Sequence, residues 1–186
     1  NTIVWFESDH GAALGEGGGR YAKHMFAPQT HRVPRLVSWP GALPQGQRRS
    51  DLCDSLDIGP TLLNLAGVDR NPRWRDQCKG RDLIGDPAPD AVFATIGQGH
   101  VYSRAFPNGD RGVWDEKTGW PRRTCLRTDQ YRLDRNERIN DAAPATAAEC
   151  DLFLTDWRAD LRERINLAAD PRYAAVKSLG NLEIRG

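Results

Sequence analysis

The sequence predicts an α/β unit followed by a small antiparallel β subdomain with a C-terminal helix. Three observations carry this. Residues 2–7 (Thr-Ile-Val-Trp-Phe-Glu) form a continuous apolar run ending in polar residues, the pattern of a strand covered on both faces in a parallel sheet. A helical segment follows at 60–66. The second half then reads as short strands at 91–96, 124–133 and 151–155 before a closing helix near 171–179.

Each element has a local reason. Residues 9–24 carry Gly11, Gly15, Gly17, Gly18 and Gly19, which predicts a tight loop, because glycine permits close backbone approach and positive φ. Residues 33–39 (Val-Pro-Arg-Leu-Val-Ser-Trp) read as a second strand with Pro34 near its start and Pro40-Gly41 ending it. In the helix at 60–66, Pro60 suits the first turn, Gly67 suits the position past the end, and Asp57 is the candidate cap. Residues 71–89 are polar and proline-bearing and mark a seam. Residues 124–133 read as two short strands turning at Thr128-Asp129, with Arg127 and Arg132 on a solvated face. Asp170 and Pro171 open the last helix. The division expected is a catalytic α/β part at 1–89 and a small α+β subdomain at 90–186.

Bulk properties exclude several classes. The 186 residues are 39% hydrophobic and 27% charged with a formal net charge of +1. That is ordinary for a globular protein and gives no global electrostatic ground for nucleic acid. No apolar run approaches the ~20 residues that span a bilayer. Cys53, Cys78, Cys125 and Cys150 contain no Cys-x-x-Cys unit, so a structural zinc site is not expected. They read either as buried free thiols or as two local bridges, 53–78 and 125–150. The second reading leans toward a periplasmic or secreted protein. The opening Asn1-Thr2-Ile3-Val4 is already strand-like, which reads as a cut within a longer polypeptide.

Chemistry concentrates at Ser8-Asp9-His10-Gly11, directly after the first strand. Open α/β sheets place ligand sites at this edge. A carboxylate supplies hard anionic oxygen and a neutral imidazole supplies nitrogen, so Asp9 and His10 are candidate ligands of a divalent cation. Two ligands are too few, and the remainder must come from elsewhere.

The ordered segments Ser8-Asp9-His10-Gly11, Leu14-Gly15-Glu16, Lys23-His24, Arg32-Val33-Pro34, Ser38-Trp39-Pro40-Gly41 and Leu56 to Val68 resemble the sulfatase family of the alkaline phosphatase superfamily. The resemblance continues through Leu126 to Leu133, Asp151-Leu152-Phe153-Leu154, Asn166-Leu167-Ala168 and Asp170-Pro171. It implies the C-terminal part of an alkaline-phosphatase-like sandwich, with Asp9 and His10 as metal ligands and Lys23 contacting the sulfate or phosphate group. It implies Ca²⁺, with Mn²⁺ or Zn²⁺ in relatives, and a formylglycine nucleophile upstream of this chain. No cysteine here stands in the Cys/Ser-x-Pro/Ala-x-Arg context that would yield it. A fragment inactive on its own is therefore expected, with the missing N-terminal part of the same protein as its partner.

This chain departs from the family pattern where Gly17 follows Gly15-Glu16 and where Ala27-Pro28-Gln29 follows Met25-Phe26. His24 thus competes with Lys23, and Ala27 to Pro34 looks similar to phosphoethanolamine transferases of the same superfamily. The long loop at 97–122 holds His100, Arg104 and Trp114, which suit an anionic sugar or aryl ester. The expected activity is sulfuric ester hydrolysis of a small sulfate ester or sulfated sugar. Phosphoester or phosphonate hydrolysis, phosphoethanolamine transfer, a non-catalytic binding fragment and homo-oligomer formation stay open.

Overall fold

A computed structural model describes residues 1–15, 21–22, 26–68, 78–96, 121–138 and 152–178. Packing divides the chain into two compact units, one of residues 1–9 and 33–92, the other of residues 10–32 and 93–186. The excursion at 10–32 thus goes with the second unit, a different partition from the linear one at residues 89 and 90.

In the first unit, β1 (Val4–Glu7) pairs antiparallel with β4 (Arg35–Ser38), bringing Trp5 opposite Val37, Phe6 opposite Leu36 and Glu7 opposite Arg35. The parallel, doubly covered strand expected from residues 2–7 is not what the described residues form. Val4, Phe6 and Leu36 are 59%, 57% and 62% exposed on one face of this two-stranded sheet. Trp5, Glu7, Arg35 and Val37 on the other face are half-buried. Strand alternation makes this split inevitable once only one face is covered.

Helix α2 (Ile58–Leu65) follows a 3₁₀ turn at Ser55–Asp57, and Gly67 ends it with φ +67°. Asp57 stands at the N-cap position of the helix without a side-chain bond to it, and Asp54 caps the preceding turn through its side chain on the Leu56 N–H. Asp57 is buried and fastens the chain beyond the helix instead. Its carboxylate accepts from the Asp54 N–H at 3.1 Å and the Arg81 N–H at 2.9 Å. Thr61 is buried, donates to the Asp57 carbonyl at 2.6 Å and accepts from the Leu83 N–H at 2.9 Å. Asn64 donates to buried Asp82 at 2.6 Å. A Cβ on Gly80 would overlap the Leu56 carbonyl. Residues 80–86 of the expected seam therefore pack on the helix through the carboxylates of Asp57 and Asp82 and the Thr61 hydroxyl.

In the second unit, two-residue strands β2 (Ala13–Leu14) and β3 (Tyr21–Ala22) pair antiparallel inside the glycine-rich segment expected to be loop, ahead of the single-turn helix α1 (Pro28–His31). Strands β5 (Ala91–Ile96), β6 (Pro121–Thr128), β7 (Tyr131–Arg138) and β8 (Leu152–Asp156) form one sheet in that order, with β6–β7 and β7–β8 antiparallel. Cys125, Leu126, Leu133 and Leu154 form its core. Asp170 caps a 3₁₀ turn at Pro171–Tyr173 through the Arg172 N–H, and residues 174–178 continue as helix.

Arg127 and Arg132 do not form a solvated face. Both pair with Glu163, whose side chain is completely buried, Arg127 at 2.5 Å. The segment after β8 folds back over the sheet and delivers that carboxylate. Glu163 holds φ +52°, an uncommon conformation for a residue with a Cβ.

Cys53 and Cys78 are free and exposed, and Cys125 is free and buried. This differs from both a bridge at 53–78 and four buried thiols. Cys150 lies outside the described residues. Among the described residues no helix is long and apolar enough to cross a membrane.

Candidate functional site

Asp9 and His10 are the second and third residues after β1, and both are exposed. The strand that delivers them is fixed at its last residue. Glu7 pairs with Arg35 across the β1–β4 ladder and accepts from Trp5 Nε1 at 2.8 Å. Arg35 also donates to the Asp54 carbonyl at 2.8 Å and lies 5.9 Å from the Trp5 ring centroid. The sequence reading did not pick out Glu7 or Arg35. The signal available was an acid ending one predicted strand and a base near the start of the next, which face each other only if the strands run antiparallel.

Beyond His10 the chain is held from the other side. The Gly11 N–H donates to the Thr30 carbonyl at 2.9 Å, and a Cβ on Gly11 would overlap the Gln29 carbonyl oxygen. Thr30 is itself buried, with its hydroxyl donating to the Ala27 carbonyl at 2.9 Å. Buried Phe26 lies 5.1 Å, ring to ring, from His31. Asp9 thus follows the Glu7–Arg35 pair of the first unit, and His10 directly precedes the Gly11–Thr30 contact of the second. His10 Nδ1 is 3.0 Å from the Gly11 carbonyl. The tautomer that makes this a hydrogen bond carries its proton on Nδ1 and presents Nε2 as the lone-pair nitrogen.

A carboxylate oxygen and an imidazole nitrogen on consecutive exposed residues fit a divalent cation as a partial ligand set. Among the described residues no group of three or more His, Cys, Asp or Glu side chains could hold a metal ion, and a cation site at Asp9 and His10 would need further ligands. Lys23, His24, His100, Arg104 and Trp114 lie outside the described residues.

The fold class that these elements define is that of alkaline-phosphatase-like proteins. The chain superposes on a 2-O GAG sulfatase with TM-score 0.72 and 21% identity, covering 98% of this chain and 35% of that one. It also matches a structure solved in complex with its substrate D-glucosamine-2-N,6-O-disulfate, with TM-score 0.64 and 21% identity, over 98% and 33%. At these identities the likeness shows the fold. Residues 1–68 match the family model named Sulfatase. Arylsulfatase G of Mus musculus is 29% identical over 117 residues, 54% of this chain and 21% of that protein. The chain is thus similar to the sulfatase family over residues 1–68 and shares the fold of the sulfatase structures it superposes on. It spans about a fifth of the length of that curated relative and about a third of the matched structures.

Proposed function

We propose that this chain contributes the Asp9–His10 metal-binding edge of a sulfuric ester hydrolase acting on a sulfated sugar. The observation that carries the reading is the pair of consecutive exposed residues Asp9 and His10, directly after the strand fixed by Glu7–Arg35 and directly before Gly11. The relative solved with a disulfated glucosamine supports the substrate class. Asp9 and His10 would hold the divalent cation, Ca²⁺ by family resemblance, together with ligands from another part of the enzyme. When bound, such an ion polarises the ester oxygens and stabilises charge developing on them. Lys23 would place an ammonium on the same anion.

The formylglycine nucleophile belongs to a polypeptide segment other than this one, and the chain alone does not turn over substrate. The exposed face of Val4, Phe6 and Leu36 supports a partner there, because contiguous exposed apolar residues mark interaction surfaces. The partner is the nucleophile-bearing part of the same domain. Calcium titration of the full-length enzyme by calorimetry tests the reading. Asp9→Ala with His10→Ala should abolish binding and turnover of an aryl sulfate. Undiminished calcium affinity in the double variant would overturn the ligand assignment, and turnover of a phosphonate or phosphate monoester in preference to the sulfate would overturn the substrate assignment.

A further inference from the structure

Within the second unit three guanidinium groups surround one indole. Arg127 lies 5.0 Å from the Trp157 ring centroid, and Arg32 and Arg158 each lie 5.9 Å from it. The indole is pinned in turn. Its Nε1–H donates to the Thr128 carbonyl at 3.0 Å, and the Trp157 backbone N–H donates to the Gln130 carbonyl at 3.0 Å.

The three cations are committed to different degrees. Arg127 is tied to the buried carboxylate of Glu163. Arg158 pairs with Asp129 at 2.9 Å, but the two side chains are 59% and 76% exposed, and an ion pair so open to water is readily exchanged for another anion. Arg32 is exposed, and among the described residues no carboxylate pairs with it.

Arg32 is also close to the site along the chain. It stands two residues after Thr30, whose carbonyl accepts the N–H of Gly11, so its Cα is at most about 7 Å from that clamp residue. A cation with which no carboxylate among the described residues pairs is therefore presented beside the turn that carries His10.

We propose that Arg32 and Arg158, displayed on Trp157, bind the sulfate or carboxylate groups of a polyanionic sugar chain next to the ester that is cleaved. The proposal rests on the sulfate-ester reading above and deepens it from a sulfated sugar to a polymeric one. A guanidinium offers parallel N–H donors that match two oxygens of a sulfate or carboxylate, and it is more weakly hydrated than an ammonium. Stacking on the indole holds the head group in place, which lowers the ordering cost of capturing the anion. Binding displaces Asp129, which pairs with Arg158 among the described residues.

The test compares equilibrium binding of dextran sulfate and unsulfated dextran to the full-length enzyme at several salt concentrations. The wild type should bind the sulfated polymer and leave the unsulfated one unbound. Arg32→Ala with Arg158→Ala should weaken dextran sulfate binding about tenfold or more and flatten its salt dependence. Asp129→Asn should tighten it by freeing Arg158. Circular dichroism of each variant shows whether the fold is kept, and Arg158→Ala alone, a change at an exposed side chain, supplies a second reading if the double variant unfolds. Dextran sulfate affinity unchanged by these substitutions, or equal binding of both polymers, would overturn the proposal. Aryl sulfate turnover by the wild-type full-length enzyme reports separately on the sulfatase reading, so failure of one is distinguishable from failure of the other.

Discussion

Gly11 donates its backbone N–H to the carbonyl oxygen of Thr30 at 2.9 Å, at a point where the two backbones pass too close for a side chain. Gly11→Ala would force a Cβ onto the Gln29 carbonyl. Steric overpacking of this kind costs about 1–3 kcal/mol, and the strain falls on the residue next to His10. The variant should unfold at lower urea concentration than the wild type. In the full-length enzyme it should bind calcium more weakly with Asp9 and His10 both intact. An unchanged urea midpoint would show that the two segments are not clamped.

Glu163 is the shared carboxylate of Arg127 and Arg132. Glu163→Gln removes the buried carboxylate that Arg127 and Arg132 share and leaves Arg132 only Asp134, at 3.1 Å, a loss of about 3–5 kcal/mol. The φ of +52° at this position would favour glycine, so Glu163→Gly separates the two effects. Its backbone strain is relieved, yet it should still be strongly destabilised in thermal unfolding, because the carboxylate outweighs the strain.

Asp160 sets the loop that carries Glu163. Its carboxylate accepts from the backbone N–H groups of Ile165 at 2.9 Å, Arg164 at 2.6 Å and Arg162 at 3.1 Å. These bonds, Ile165 first, hold its pKa below the usual carboxylate value. A folded-state pKa below the unfolded one means that the stabilisation is fully present above about pH 4 and is lost as pH falls through the folded value. Unfolding followed by circular dichroism between pH 6 and pH 2 should therefore show stability falling below about pH 4. Asp160→Asn should be less stable at neutral pH and have a shallower acid limb.

The cysteines should separate by reactivity. Burial, reinforced by the nearby Asp134 carboxylate, raises the Cys125 thiol well above its usual pKa, and the side chain is only 5% exposed. A maleimide at neutral pH should label Cys53 and Cys78 in the native chain and reach Cys125 only after denaturation. Rapid native labelling of Cys125, read by peptide mass spectrometry, would contradict the packing of β6 on β7.

Much of the strand order was legible because local pattern carries it. The run at 91–96 became β5, and the turn after Thr128 joined β6 to β7. Gly67 ended its helix and Asp170 capped its 3₁₀ turn. Pairing was not legible in the same way. Residues 2–7 are apolar enough for a parallel strand, yet their described neighbour is β4, running antiparallel. Apolar content does not encode which strand lies alongside. Arg127 and Arg132 were misread as solvated because the acid that pairs with them lies more than thirty residues away, on a segment with no apolar pattern of its own.

By itself the sequence made legible the likeness of residues 1–68 to the sulfatase family and the adjacency of a carboxylate and an imidazole at Asp9 and His10, since each is a matter of which residue types stand near one another along the chain. Tertiary structure alone decided that Gly11 must be glycine, that Glu163 neutralises two arginines, and that Arg32 reaches Trp157. These depend on distances between segments far apart in the chain, and burial and electrostatics act through space, where sequence spacing carries no record of them.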